Sequence, residues 1–152
     1  MKIKQNNLPL ALLLKNSFEY DGSLVDIYVE NTSFQHWEIF VTYLSETYPE
    51  VIFSIDGSKT SLPVNVEKIF SDKENHSFTA SFRISNAIVN AHFFSSDEIE
   101  MDFYPKDFSS LQEVEVLVEF CRRISNLLGL NVKFTPEGLK DVILLECFPE
   151  QL

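Results

Sequence analysis

Ser81, His92 and Glu100 are the residues whose types most invite a chemical reading. If segments 77–85, 88–94 and 98–104 pair as an antiparallel meander, the three stand in one cross-strand row. A carboxylate that orients an imidazole beside a serine is the layout of nucleophilic catalysis. A two-residue turn at Asn86-Ala87 sets Ser85 opposite Ile88 and Ser81 opposite His92. A loop near Ser95–Asp97 then sets His92 opposite Glu100, with a second row of Arg83, Asn90 and Asp102 beside the first. Serines in mid-strand on an open face lack the sharp turn and the oxyanion donors that acyl transfer needs. Cross-strand pairing of polar side chains accounts for the row, so no catalytic residue is expected.

The acidic series Asp97, Glu98, Glu100 and Asp102 places alternate carboxylates on one strand face. It lacks the turn geometry of a calcium loop, and no His pair stands at metal spacing, so no metal is expected. Glycine is too sparse for a phosphate cradle, with no Gly-x-Gly-x-x-Gly and no Walker-type sequence; no cofactor is expected either. Two readings of the series remain, a solvated acidic face and a docking face for a basic partner. The second gains weight because acid recurs along the chain, at Asp26, Glu30, Glu38, Glu46, Glu67, Asp72, Glu74, Glu113, Glu115 and Glu119. Glu98, Glu100 and Asp102 are the expected partner contacts, with Asp97 at the rim. His36 and His76 are isolated and read as surface residues.

The whole-chain balance points the same way. The 152 residues carry a net charge of −11 and are 45% hydrophobic, enough to build a core. That charge argues against roles that depend on neutralising phosphate, so neither nucleic acid nor an anionic membrane is an expected partner. Cys121 and Cys147 are too few and too far apart for a disulfide framework or a zinc site and read as buried thiols. The apolar run Leu8–Leu14 contains Pro9 and is only seven residues long. It is too short to span a bilayer and lacks a cleavage site, so an opening strand and a cytoplasmic location are expected. The length suits one domain over residues 1–152.

The elements that must position these residues are legible in outline. After a turn at Asn16–Ser23, Leu24–Glu30 has strand composition. Thr32-Ser33-Phe34-Gln35 has capping-box spacing, and Trp37, Phe40, Val41, Leu44 and Tyr48 recur at helical spacing up to Pro49. Trp37, the sole tryptophan, reads as a core anchor. Val51–Ile55 predicts a strand closed by the turn Asp56-Gly57-Ser58. A short helix is predicted from Ser61-Leu62-Pro63 through Phe70, and a polar loop over Ser71–Asn75. The meander follows, with Phe78, Ala80, Phe82 and Ile84 on one face and Ile99, Met101 and Phe103 likewise turned inward. Ser110-Leu111-Gln112-Glu113 opens a second helix whose stripe is Val114, Leu117, Val118, Cys121, Ile124 and Leu128, with Gly129 closing it. Strands near Asn131–Phe134 and Val142–Cys147, around Pro136-Glu137-Gly138, end the domain. Strands in runs predict an α+β fold: a mainly antiparallel sheet with two main helices on one face, a two-layer sandwich.

The fragments Asp26-Ile27-Tyr28-Val29, Thr32-Ser33, Trp37, Leu62-Pro63, Ala91-His92-Phe93-Phe94 and Glu98-Ile99-Glu100 resemble a group of small acidic bacterial proteins, the immunity proteins of polymorphic toxin systems. The resemblance spans Ser23 to Tyr104. It implies a cytoplasmic α+β protein without cofactor or catalytic residues that binds one toxin. Toxins that attack nucleic acid carry basic clefts, and a −11 partner is steered to such a surface. The leading expectation is therefore a non-enzymatic acidic protein that occludes a basic toxin. Two alternatives stand beside it: a small enzymatic or ligand-binding domain with a cleft between helix and sheet, and an oligomer-forming domain such as a homodimer, whose second copy covers apolar surface left by 14 Phe residues.

Overall fold

A computed structural model of the chain describes residues 2–3, 23–61, 65–72 and 74–150. The expected strand over Leu8–Leu14, the expected turn at Asn16–Ser23 short of its last residue, and Leu62-Pro63 at the start of the short helix lie outside the described residues. The fold is α+β. Strands β1 (Lys2–Ile3), β2 (Val25–Glu30), β3 (Ile52–Ile55), β4 (Ser58–Thr60), β5 (Phe78–Ile84), β6 (Ala87–Ser95), β7 (Glu98–Phe103), β8 (Val132–Pro136) and β9 (Leu145–Phe148) form one sheet. Its order is β1-β9-β8-β2-β7-β6-β5-β3-β4, with every neighbouring pair antiparallel. Among the described residues the α-helices are α1 (Phe34–Thr47), α2 (Val66–Asp72) and α3 (Leu111–Leu128). Among the described residues no helix is long and apolar enough to cross a membrane.

All three helices lie on the same face of the sheet, and aromatic contacts mark the layer boundary. Trp37 of α1 stacks on Phe93 of β6 with centroids 4.6 Å apart, Phe70 of α2 approaches the same ring at 6.1 Å, and Phe120 of α3 meets Phe82 of β5 at 5.5 Å. Trp37, Phe40, Val41 and Leu44 are buried, as the helical spacing predicts. The stripe of α3 is buried as expected and is widened by Phe120 and Ser125. Gly129 takes φ +69°, and its N–H bonds the Ser125 carbonyl, a left-handed C-cap that a side chain with a Cβ adopts at a cost.

Four local expectations are corrected. The N-cap of α1 is Ser33, one residue later than the Thr32–Gln35 box. Ser33 Oγ accepts from the His36 N–H, and His36 Nδ1 accepts from the Ser33 N–H at 3.1 Å. Asn31 turns the chain with φ +64°, and Thr32 is committed elsewhere: its hydroxyl donates to the Ser96 carbonyl at 2.7 Å, and its N–H to the Asp97 carbonyl at 3.1 Å. Second, Asp56 and Gly57, at φ +52° and +84°, make a hairpin turn, and Ser58–Thr60 pairs back on β3 as an edge strand that the sequence reading lacked. Third, α2 starts at Val66, with Asn65 Oδ1 accepting from the Lys68 N–H, and runs to Asp72 into the expected loop. Fourth, the β5–β6 turn is Ser85-Asn86, with Ser85 at φ +54°, so Ile84 faces Ala87.

Candidate functional site

The turn correction decides which side chains meet on the face away from the helices. It moves the β5–β6 register by one pair, which preserves the faces and changes the partners. Thr79 faces His92, Ser81 faces Asn90, and Arg83 faces Ile88. On the next pair the expectation holds, with His92 opposite Glu100 and Asn90 opposite Asp102. The supposed Ser–His–Glu line is therefore not assembled: Ser81 Oγ donates to Asn90 Oδ1 at 2.7 Å, and His92 Nε2 bonds Asp102 Oδ2 at 2.7 Å.

Beyond β7 lies β2, and this neighbour builds the site. One row continues His92, Glu100, Tyr28, Lys133 and Glu146; the next runs Asn90, Asp102, Asp26 and Thr135. At the end of β7, Glu98 faces Glu30. Like charges directly opposite each other destabilise a sheet, so compensation is required. His92 supplies it at Asp102. Lys133 Nζ meets Glu30 Oε1 at 2.8 Å, and Lys140 Nζ meets Glu98 and, at 3.7 Å, Glu30 Oε2. Lys140 comes from the loop 137–144, which folds over β2. Glu137 N–H donates to the Leu24 carbonyl, Leu24 N–H to Glu137 Oε1, and the Gly138 backbone bonds Asp26. The Lys140 ammonium sits 4.7 Å from the centroid of the Tyr28 ring.

Asp26 and Tyr28 are buried here, each 8% exposed, and Glu98, Glu100 and Asp102 are half-buried. Burial, reinforced by Asp102, raises the Asp26 pKa despite the Gly138 bond. Burial and the Asp26 charge raise that of Glu100. The hydrogen bond to Asp102 raises His92 above the ordinary imidazole value, against its own desolvation. Burial and the surrounding acids hold the Tyr28 phenol protonated, whereas the Lys133 bond lowers Glu30. The face is negative, desolvated and partly neutralised by the chain's own cations.

Each expected contact residue can now be placed. Asp97 is exposed in the β6–β7 turn, bonded to Ser95, and its carbonyl anchors Thr32. Glu98 is held by Lys140 and Asp102 by His92. Glu100 makes no hydrogen bond or ion pair among the described residues. His36 caps α1, and the exposed His76 bonds Asp56 at 2.7 Å. No group of three or more His, Cys, Asp or Glu is arranged to hold a metal ion among the described residues.

Comparison with family models, curated proteins and solved structures gives no significant match to this chain. The site therefore has to be read from its own chemistry. Asp26, Tyr28, Glu30, Lys133 and Lys140 were missed as members of it. The alternation Asp26, Tyr28, Glu30 was a readable signal for a polar strand face. The pairing of β2 with β7 was not, because those strands lie some 70 residues apart in sequence and no turn joins them.

Two concavities lie among the described residues. A groove of about 560 Å³ runs between α1 and α3 on the helical side, lined by Tyr43, Tyr48, Val116, Phe120, Arg122 and Arg123 among others. A smaller cleft of about 290 Å³ opens beside Tyr28, Glu30, Lys133 and Glu146.

Proposed function

We propose that this is a non-enzymatic binding protein that docks a basic protein surface, acting as an immunity protein that occludes a cognate nucleic-acid-attacking toxin. The reading is carried by one observation: Asp26, Glu30, Glu98, Glu100 and Asp102 share the sheet face opposite the described helices, in a chain whose net charge is −11. A negative field over a rigid sheet steers a cationic partner and fixes its orientation. Glu100 supports the same reading, because a half-buried carboxylate without a hydrogen bond or ion pair among the described residues is relieved when a cation arrives.

The experiment is co-purification with the product of the neighbouring gene, followed by affinity measurement across salt. Affinity should fall with ionic strength, and Glu100→Lys should weaken it by about ten-fold or more while the fold is retained. Affinity unchanged by Glu100→Lys overturns this face as the docking surface.

A second reading, small-molecule binding, is favoured by the groove between α1 and α3. Tyr48 and Phe120 offer an apolar floor there, and Glu115, Glu119, Arg122 and Arg123 a mixed-charge rim in which Glu119 pairs with both arginines. A ligand screen by thermal shift, with Val116→Glu as the blocking variant, tests it.

A further inference from the structure

The loop 137–144 is arranged against the ordinary sense of solvation. Its cation points inward over Tyr28, between Glu30 and Glu98, while Leu139, Val142 and Ile143 stand 55%, 47% and 48% exposed. Three exposed apolar side chains on one short segment are available to a contact surface. Both ends of the loop are fastened, by the Glu137–Leu24 bonds and by the Leu144 N–H on the Phe134 carbonyl at 2.8 Å. Lys140 itself remains 41% exposed. An ion pair of that exposure is weakly held and exchangeable.

We propose that Tyr28, Glu30 and Glu98 form a seat for an arginine of a protein partner, that Lys140 occupies this seat in the free protein, and that Leu139, Val142 and Ile143 dock the apolar surface around that arginine. This rests on the binding reading above and names the contact within it. Arginine fits better than the resident lysine for stated reasons. Its planar fork bonds two carboxylates at once and stacks on an aromatic ring, whereas an ammonium is a compact, strongly hydrated point charge. Glu100, one register position from Glu98 on the same strand face, adds negative potential without being consumed by a pair among the described residues.

The test uses the full chain and a synthetic peptide with two arginines flanked by leucines, beside its citrulline counterpart. Binding is followed by calorimetry and by amide chemical-shift mapping. The arginine peptide should shift residues of β2, β7 and the loop, and the citrulline peptide should not bind. Removing the resident cation with Lys140→Met should tighten the arginine peptide about three- to five-fold, since Lys140 then no longer competes for Glu98 and the Tyr28 ring, while Lys133 stays on Glu30. Lys68→Met makes the same charge change on exposed α2 and should alter affinity by less than about two-fold. Glu98→Gln should weaken binding about ten-fold. If the peptide binds but Lys140→Met acts no differently from Lys68→Met, or the shifts map elsewhere, the seat is refuted and the acidic-binding reading survives. If the arginine peptide binds no variant, both fall.

Discussion

His92 reaches Asp102 on the diagonal. Its Nε2 lies 2.7 Å from Asp102 Oδ2, although the strand register sets His92 opposite Glu100 and Asn90 opposite Asp102. The imidazole thus bonds the acid that faces Asp26, while Glu100 makes no hydrogen bond or ion pair among the described residues, so one bond decides which carboxylate of the face stays available.

That bond makes stability depend on pH in a defined direction. The folded His92 value is raised above the ordinary 6.5, so its stabilisation is complete below that value and is lost as pH rises through the raised one. In urea unfolding followed by Trp37 fluorescence, the advantage of the native protein over His92→Gln should be larger at about pH 6 than at about pH 8.5, by roughly 0.5–1 kcal/mol for a partly exposed pair. An advantage independent of pH contradicts the assignment.

Glu100 behaves in the opposite way as a substitution target. A carboxyl whose folded value is raised binds its proton more readily in the native than in the unfolded state, so its ionisation destabilises the fold as pH rises above the ordinary range. Glu100→Gln should stabilise the protein at neutral pH by around 0.5 kcal/mol after solvent screening, and the gain should vanish near pH 4. The same variant should bind a basic partner less well, a division between stability and binding that a purely structural residue would not show.

At the start of α1, two adjacent hydroxyls have separate duties. Ser33→Ala removes the N-cap and should cost about 1 kcal/mol, largely restored by Ser33→Asp. Thr32→Val keeps the shape but strands the Ser96 carbonyl, and should cost about 1–1.5 kcal/mol that no helix-capping residue restores. Denaturation midpoints of the three variants separate these roles.

The thiols should be silent until the protein unfolds. Cys121 and Cys147 are buried, and burial pushes the Cys147 thiol up to about 12 and Cys121 upward as well. Thiolate is the nucleophile, so labelling by a disulfide reagent should proceed only at the rate of opening and accelerate with denaturant. Rapid labelling of the native protein contradicts this burial.

What the sequence by itself determined is local and periodic. Period-two alternation assigned the inward faces of β5 and β7, and the 3.6-residue spacing set the buried sides of α1 and α3. Gly129 marked the end of α3, because each of these follows from a few contiguous residues and the geometry of their own element. The His92–Glu100 pairing agrees with the sequence reading by another route: Ser95 pairs with Glu98 instead of lying in the loop, and an irregularity between His92 and Ser95 restores the register.

Only the tertiary structure decided what the outer face contains. Whether Thr32 or Ser33 caps α1 depends on a hairpin more than 60 residues away that claims the threonine. Whether Ser81 meets His92 or Asn90 depends on which two residues of Ser85-Asn86-Ala87 make the turn, a choice of backbone conformation that composition leaves open. The insertion of β2 between β7 and β8 brings Asp26, Tyr28 and Glu30 to Glu98 and Asp102, and carries Lys133 and the Lys140 loop with it. Pairing between distant strands is set by the burial of whole faces against the helices, a collective free energy that no single segment of the chain encodes.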